Sequence, residues 1–70
     1  MITPMTVMLA VTETSQVAAG RRVAAEMARD LGFGEERTGA VAIIATEIAT
    51  NLIKHAGGGR VQLRPVDSGE

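Results

Sequence analysis

The stretch from Glu35 to His55 constrains this chain more than any other, because it is too apolar for a surface helix of a two-helix hairpin. At about 100° per residue, Val41, Ala42, Ile44, Ala45, Ile48, Ala49, Leu52 and Ile53 cover more than half of a helix circumference. A surface helix needs only a stripe of apolar residues toward the core, so an arc this wide asks for several neighbours. Glu35 and Glu36 suit the positive end of its dipole, and Gly57-Gly58-Gly59 brings it to a stop. Seventy residues barely supply the neighbours. Apolar residues make up 46% of the chain, but 11 of them are alanine. Chains below roughly 70–80 residues seldom gain more than about 3–5 kcal/mol from one core, and usually add a staple. None is on offer. There is no cysteine for a disulfide, and His55 is the only histidine, which excludes a closed structural zinc site.

The rest of the chain supplies three further elements. Thr6 to Val11 is a short apolar run between Pro4 and the polar Thr12–Ser15 segment, and it predicts a buried strand. Thr12-Glu13-Thr14-Ser15 offers several helix caps. A helix then reaches Leu31, with Val17, Ala24, Met27, Ala28 and Leu31 on one face and Arg21, Arg22 and Arg29 off it. Gly32 is placed to end that helix in the left-handed conformation. Gly20, inside the helix, costs about 1 kcal/mol against alanine, which predicts close packing there. After the triple glycine, Arg60 to Val66 alternates apolar and polar residues as a half-buried strand does, and Pro65 keeps it short or at an edge. Asp67-Ser68-Gly69 reads as a hairpin turn. The predicted order is strand, helix, helix, strand, an α+β chain.

Composition removes several functions. Seven Lys and Arg against eight Asp and Glu leave a net charge of −1, with no basic stripe to follow a phosphate backbone. Phe33 is the only aromatic residue, so stacking platforms for single-stranded nucleic acid are missing. No apolar run approaches the roughly 20 residues that span a membrane. Met1 to Val11 lacks a charged region ahead of its apolar residues, which argues against a secretory signal and for a cytoplasmic chain.

The second helix carries the candidate chemistry. Glu47, Asn51 and Lys54 stand at i, i+4 and i+7, and His55 flanks them at i+8, all away from the centre of the apolar arc. Asparagine is a poor helix former, so Asn51 in mid-helix asks for a reason. Spacing by itself favours the plainer reading, a solvated face with i,i+4 pairs. The segment Thr46-Glu47-Ile48-Ala49-Thr50-Asn51-Leu52-Ile53-Lys54-His55-Ala56-Gly57-Gly58-Gly59 resembles the N-box of the GHKL (Bergerat-fold) ATPases. More narrowly, it is similar to the anti-sigma regulatory serine kinases of the RsbT/RsbW type. The upstream stretch from Val11 through Gly32-Phe33-Gly34 matches as well, so the resemblance covers nearly the whole chain.

That resemblance implies a two-layer α/β sandwich in which the second helix lines an ATP pocket. It implies that Glu47 is the catalytic base and that Asn51 ligates Mg²⁺ bridging the nucleotide phosphates. Lys54 and His55 extend the stripe as candidates to meet phosphate oxygens, against the commoner case of a solvated lysine and a half-buried histidine. The resemblance further implies a STAS-domain antagonist protein, a sigma factor or a PP2C-type phosphatase as partner. The family also closes its site with an Asp-x-Gly-x-Gly box that reads adenine and a second glycine-rich box under a lid. Neither box occurs in these seventy residues, and Gly57-Gly58-Gly59 is no phosphate loop, because no Gly-Lys-Ser/Thr follows it. Residues 1–70 therefore read as the N-terminal half of a histidine-kinase-like ATPase domain, weak in Mg-ATP binding and inactive by itself, and prone to form a homo-oligomer. Two functions lead, an ATP-dependent protein serine/threonine kinase and a non-catalytic module that sequesters or activates a partner, and a stand-alone structural helical unit ranks behind them because so small an uncrosslinked core is marginal.

Overall fold

A computed structural model describes residues 6–64. The elements are β1 (Val7–Val11), α1 (Thr14–Asp30), α2 (Glu35–Ala56) and β2 (Gly59–Leu63), the α+β order expected from the sequence. The Asp67-Ser68-Gly69 turn and the Pro65–Val66 end of the second strand lie outside the described residues.

The two strands pair antiparallel, with Val7 opposite Leu63, Leu9 opposite Val61 and Val11 opposite Gly59. These are the inward positions, and the helices pack over them. Met8 and Ala10, facing Gln62 and Arg60 in the ladder, point the other way and are exposed. The uninterrupted apolar run of β1 thus predicts burial on both faces, but only one face is covered. A single helical layer lies on the sheet among the described residues, leaving Met8 54% exposed.

Both ends of α1 follow from local chemistry. At its start the Gln16 side-chain oxygen accepts from the backbone N–H groups of Thr12 and Glu13 at 2.6 and 3.1 Å, and from the Thr12 hydroxyl at 3.0 Å. Those donors would otherwise be left over at a helix N-terminus. At its end, Gly32 takes φ +86° and donates to the Arg29 carbonyl at 2.9 Å, while Phe33 N–H reaches back to Ala28 at 3.0 Å. This pair of bonds is a Schellman cap on the expected glycine. Leu31 departs from expectation. It sits where the chain turns out of the helix and is 48% exposed rather than packed with Met27 and Ala28.

The core is built from small residues: Gly20, Ala24 and Ala28 of α1, Thr38 and Ala49 of α2, and Val11, the largest side chain that is fully enclosed. The Thr38 hydroxyl is satisfied by the Phe33 carbonyl at 3.4 Å. Gly20 faces β1, yet a Cβ placed there would stand 3.7 Å from Leu9 Cδ1, an ordinary contact. Close packing therefore does not demand glycine. Gly20→Ala should stabilise the chain by about 0.5–1 kcal/mol through the unfolded state and helix propensity. A lowered urea midpoint in that variant would show that the helix must approach β1 more closely than this.

The wide arc of α2 is only partly used. Val41, Ala42, Ala45, Ala49, Leu52 and Ile53 are the arc residues nearest the other elements, but Ile44 and Ile48 stay 55% and 50% exposed, and Ile43 62%. Among the described residues no helix is long and apolar enough to cross a membrane.

Candidate functional site

Helix geometry alone sets where the polar stripe of α2 points. Ala49 marks the buried side, and Glu47 and Asn51 lie two residues before and after it, about 160° around on either side. Asn51 and Glu47 are both exposed. They stand one turn apart on the outer surface, with Cβ atoms about 5–6 Å from each other. Ile44 and Ile48 border them on one side, so the two polar groups sit beside exposed aliphatic surface.

Lys54 and His55 are exposed as well, in the last turn of α2. Being successive residues they diverge by about 100°, Lys54 continuing the line of Glu47 and His55 leaning toward Ile48. Their position at the negative end of the helix dipole gives both a stabilising role that needs no ligand.

The helix is held in this orientation by the glycines after it. Gly57 has φ +73°, and the Gly57 and Gly58 N–H groups donate to the carbonyls of Ile53 and Leu52 at 3.2 and 3.0 Å. Gly58, at φ +115°, passes directly against the backbone at Val11 and Thr12, and Gly59 enters β2. The triple glycine is a helix cap and turn, as its lack of a following Lys-Ser/Thr implies.

The donor set on the stripe limits what metal it could hold. Among the described residues no three His, Cys, Asp or Glu side chains converge as a metal cage. One asparagine oxygen and one carboxylate a turn away suit magnesium, which keeps several waters and takes phosphate oxygens as its other ligands. These residues fit an ion delivered with a nucleotide, and do not fit a metal bound by protein alone.

Two open grooves in the described surface lie elsewhere. One of about 600 Å³ is lined by residues including Phe33, Thr38, Gly39 and Ala42. A neighbouring one of about 430 Å³ is lined by Arg21, Arg22, Ala25, Glu26, Arg29 and Ala42. Neither contains Glu47, Asn51, Lys54 or His55. By periodicity the three arginines belong to the solvated face of α1. Their spacing at positions 21, 22 and 29 does not by itself say that they share a groove with Ala42 of α2.

A strand, two helices and a strand returning beside the first, with a Glu–Asn pair on the outer face of the second helix, is a portion of an α+β ATPase fold. The family model of the histidine kinase-like ATPase domain matches residues 9–69, and the chain belongs to that family. Membership implies ATP binding. No curated protein and no solved structure matches the chain.

Proposed function

We propose that these residues form the phosphate-and-base half of an anti-sigma-type protein serine/threonine kinase domain, with the adenine-reading half contributed by residues other than these seventy. The observation that carries this reading is the placement of Glu47 and Asn51 one turn apart on the outer face of α2, in a chain of the ATPase family. In this reading the Asn51 side-chain oxygen takes one position on a magnesium ion, and Glu47 accepts the proton of the attacking serine or threonine hydroxyl. The ion, when bound, neutralises charge across the phosphate oxygens. A carboxylate on a rigid helix is suited to this proton transfer because its distance from the ligand residue is fixed by the backbone. Lys54 and His55, exposed in the last turn of the same helix, would be the groups to meet phosphate oxygens. The substrate would be a STAS-domain antagonist, with a sigma factor or a PP2C-type phosphatase as the other partner.

The extent of the core supports an incomplete site. Ile43, Ile44, Ile48 and Met8 are half or more exposed, and among the described residues Val11 is the only large side chain that is fully enclosed. Calorimetric titration of the seventy-residue chain with Mg-ATP should therefore show millimolar binding or none. Micromolar binding, about −8 kcal/mol, would mean that the pocket is complete within this chain. Transfer of the ATP γ-phosphate to a STAS-domain protein, measured with the full reading frame, tests the activity. ATP binding without transfer would leave the non-catalytic partner-binding module as the function.

A further inference from the structure

The groove along the outer side of the α1–α2 contact carries its charges in an alternating row. Arg21, Arg22 and Glu26 line the half nearer the start of α1, Arg29 lines both halves, and Glu35 lines the far end beside Phe33. That makes three cations against two carboxylates, all five of them exposed. Along the groove the order is Arg22, Glu26, Arg29, Glu35, with the sign changing at every step. Glu26 and Arg29 stand about 6 and 10 Å beyond Arg22 along the helix axis, and Glu35 follows past the turn, at the start of α2. Ala25 of α1 and Gly39 and Ala42 of α2 form a small-residue floor between the charges. Asp30, Glu36 and Arg37 do not line the groove, and the Arg37 guanidinium lies 4.2 Å from the Phe33 ring centroid.

We propose that this groove is the contact surface for a second copy of the chain, packed face to face about a two-fold axis that passes between Glu26 and Arg29. In such a contact the same patch meets itself, so the patch must be its own complement. An alternating row of four charges is its own complement about its centre. Arg22 of one copy then faces Glu35 of the second copy, Glu26 faces Arg29, and each pairing occurs twice. Guanidinium groups suit these contacts because they bind carboxylates through paired hydrogen bonds. Arg21, the remaining cation, stands beside Arg22 at the end that meets Glu35 of the second copy. The small floor lets the helices of the two copies approach at the separations of ordinary helix packing. Glu26 is also a neighbour of Arg22 and Arg29 on its own helix, but that spacing gives no part to Glu35. A partner of one charge sign fits less well, because an acidic one meets two carboxylates in the groove and a basic one three arginines. Exposed ion pairs fix register more than they add strength, so the dimer should be weak and sensitive to salt. The groove shares no residue with the stripe of Glu47, Asn51, Lys54 and His55, so its test stands apart from that of the proposed function.

The test is sedimentation velocity over a concentration series, with charges exchanged between copies. Arg22→Glu with Arg29→Glu makes the row of four wholly acidic, and Glu26→Arg with Glu35→Arg makes it wholly basic. All four side chains are exposed, so circular dichroism should stay at the parent signal. Each double variant by itself should remain monomeric where the parent dimerises, and an equimolar mixture of the two should recover the dimer. Pairing within one helix cannot produce that recovery, because each variant carries like charges along its own row. The parent's dimerisation should weaken by roughly tenfold as salt screens the pairs. Arg22→Glu on one chain mixed with Glu35→Arg on the other repeats the exchange with a single change in each, should a double variant fold poorly. A parent that is monomeric throughout the series overturns the proposal. So does a mixture that stays monomeric. A dimer that both double variants retain also overturns it, and would assign self-association to another face, such as the Ile44 and Ile48 side of α2.

Discussion

Gly58→Ala should destabilise the chain by about 3 kcal/mol, the sum of backbone strain and overpacking that each cost roughly 1–3 kcal/mol. Both causes act at this one position. The backbone is at φ +115°, where a side chain is strained, and an added Cβ would lie 3.0 Å from the Val11 carbonyl oxygen and 3.1 Å from Thr12 Cα. Neither neighbour is a flexible side-chain tip that could step aside. Val11 is the enclosed end of β1, and Thr12 is tied to Gln16 at the start of α1. In a chain of this size about 3 kcal/mol is much of the total stability, equivalent to a melting-point drop of roughly 12–24 °C. Gly57 supplies the control. It has φ +73° but nothing within 4 Å of an added Cβ, and asparagine tolerates that region. Thermal melts followed by circular dichroism should therefore rank Gly57→Asn close to the parent and Gly58→Ala far below it. Equal losses would mean that backbone conformation alone matters and that the contact with β1 does not.

The legible parts of this fold are those set by local chemistry. Gly32 announces the end of α1, and the Schellman bonds to Arg29 and Ala28 are there. Gly57 likewise ends α2, and the alternation of Val61 and Leu63 with Gln62 gives the inward face of β2. Burial is less legible, because it depends on how many layers cover an element. The run Val7 to Val11 has the composition of a doubly buried strand, yet no neighbour among the described residues covers Met8. The same holds for Ile44 and Ile48, whose periodicity assigns them to a packed arc but which no element among the described residues covers. Gly20 is ambiguous for a different reason: glycine in a helix is compatible with close approach but does not require it, and only the 3.7 Å distance to Leu9 decides. In the candidate site, the outward direction of Glu47 and Asn51 is readable because helical angle alone determines it. The groove of Arg21, Arg22 and Arg29 with Ala42 is not, because it depends on how α1 rotates against α2.

Substitutions on the stripe should give two separable defects in the full reading frame that carries this domain. Glu47→Gln keeps the shape and hydrogen-bonding capacity of the side chain and removes the carboxylate. Nucleotide binding should survive while phosphoryl transfer falls about 10²–10⁴-fold, the usual contribution of a positioned base. Asn51→Ala deletes the proposed magnesium ligand, so Mg-ATP binding should weaken and its dependence on magnesium concentration should flatten. The two residues lie one turn apart on the outer side of a continuous helix, so neither change disturbs the core. Asn51→Ala should even raise stability, by roughly half a kcal/mol, because alanine is the better helix former. A residue whose removal strengthens the helix while weakening ligand binding is kept for the ligand, not for the fold. A merely solvated face predicts the same small stability changes, within about 0.5 kcal/mol, but activity and magnesium dependence at the parent level for both variants. Near-normal transfer by Glu47→Gln with binding intact would remove Glu47 from the chemistry. The stripe would then belong to partner binding, and the same titration against magnesium shows whether Asn51 leaves with it.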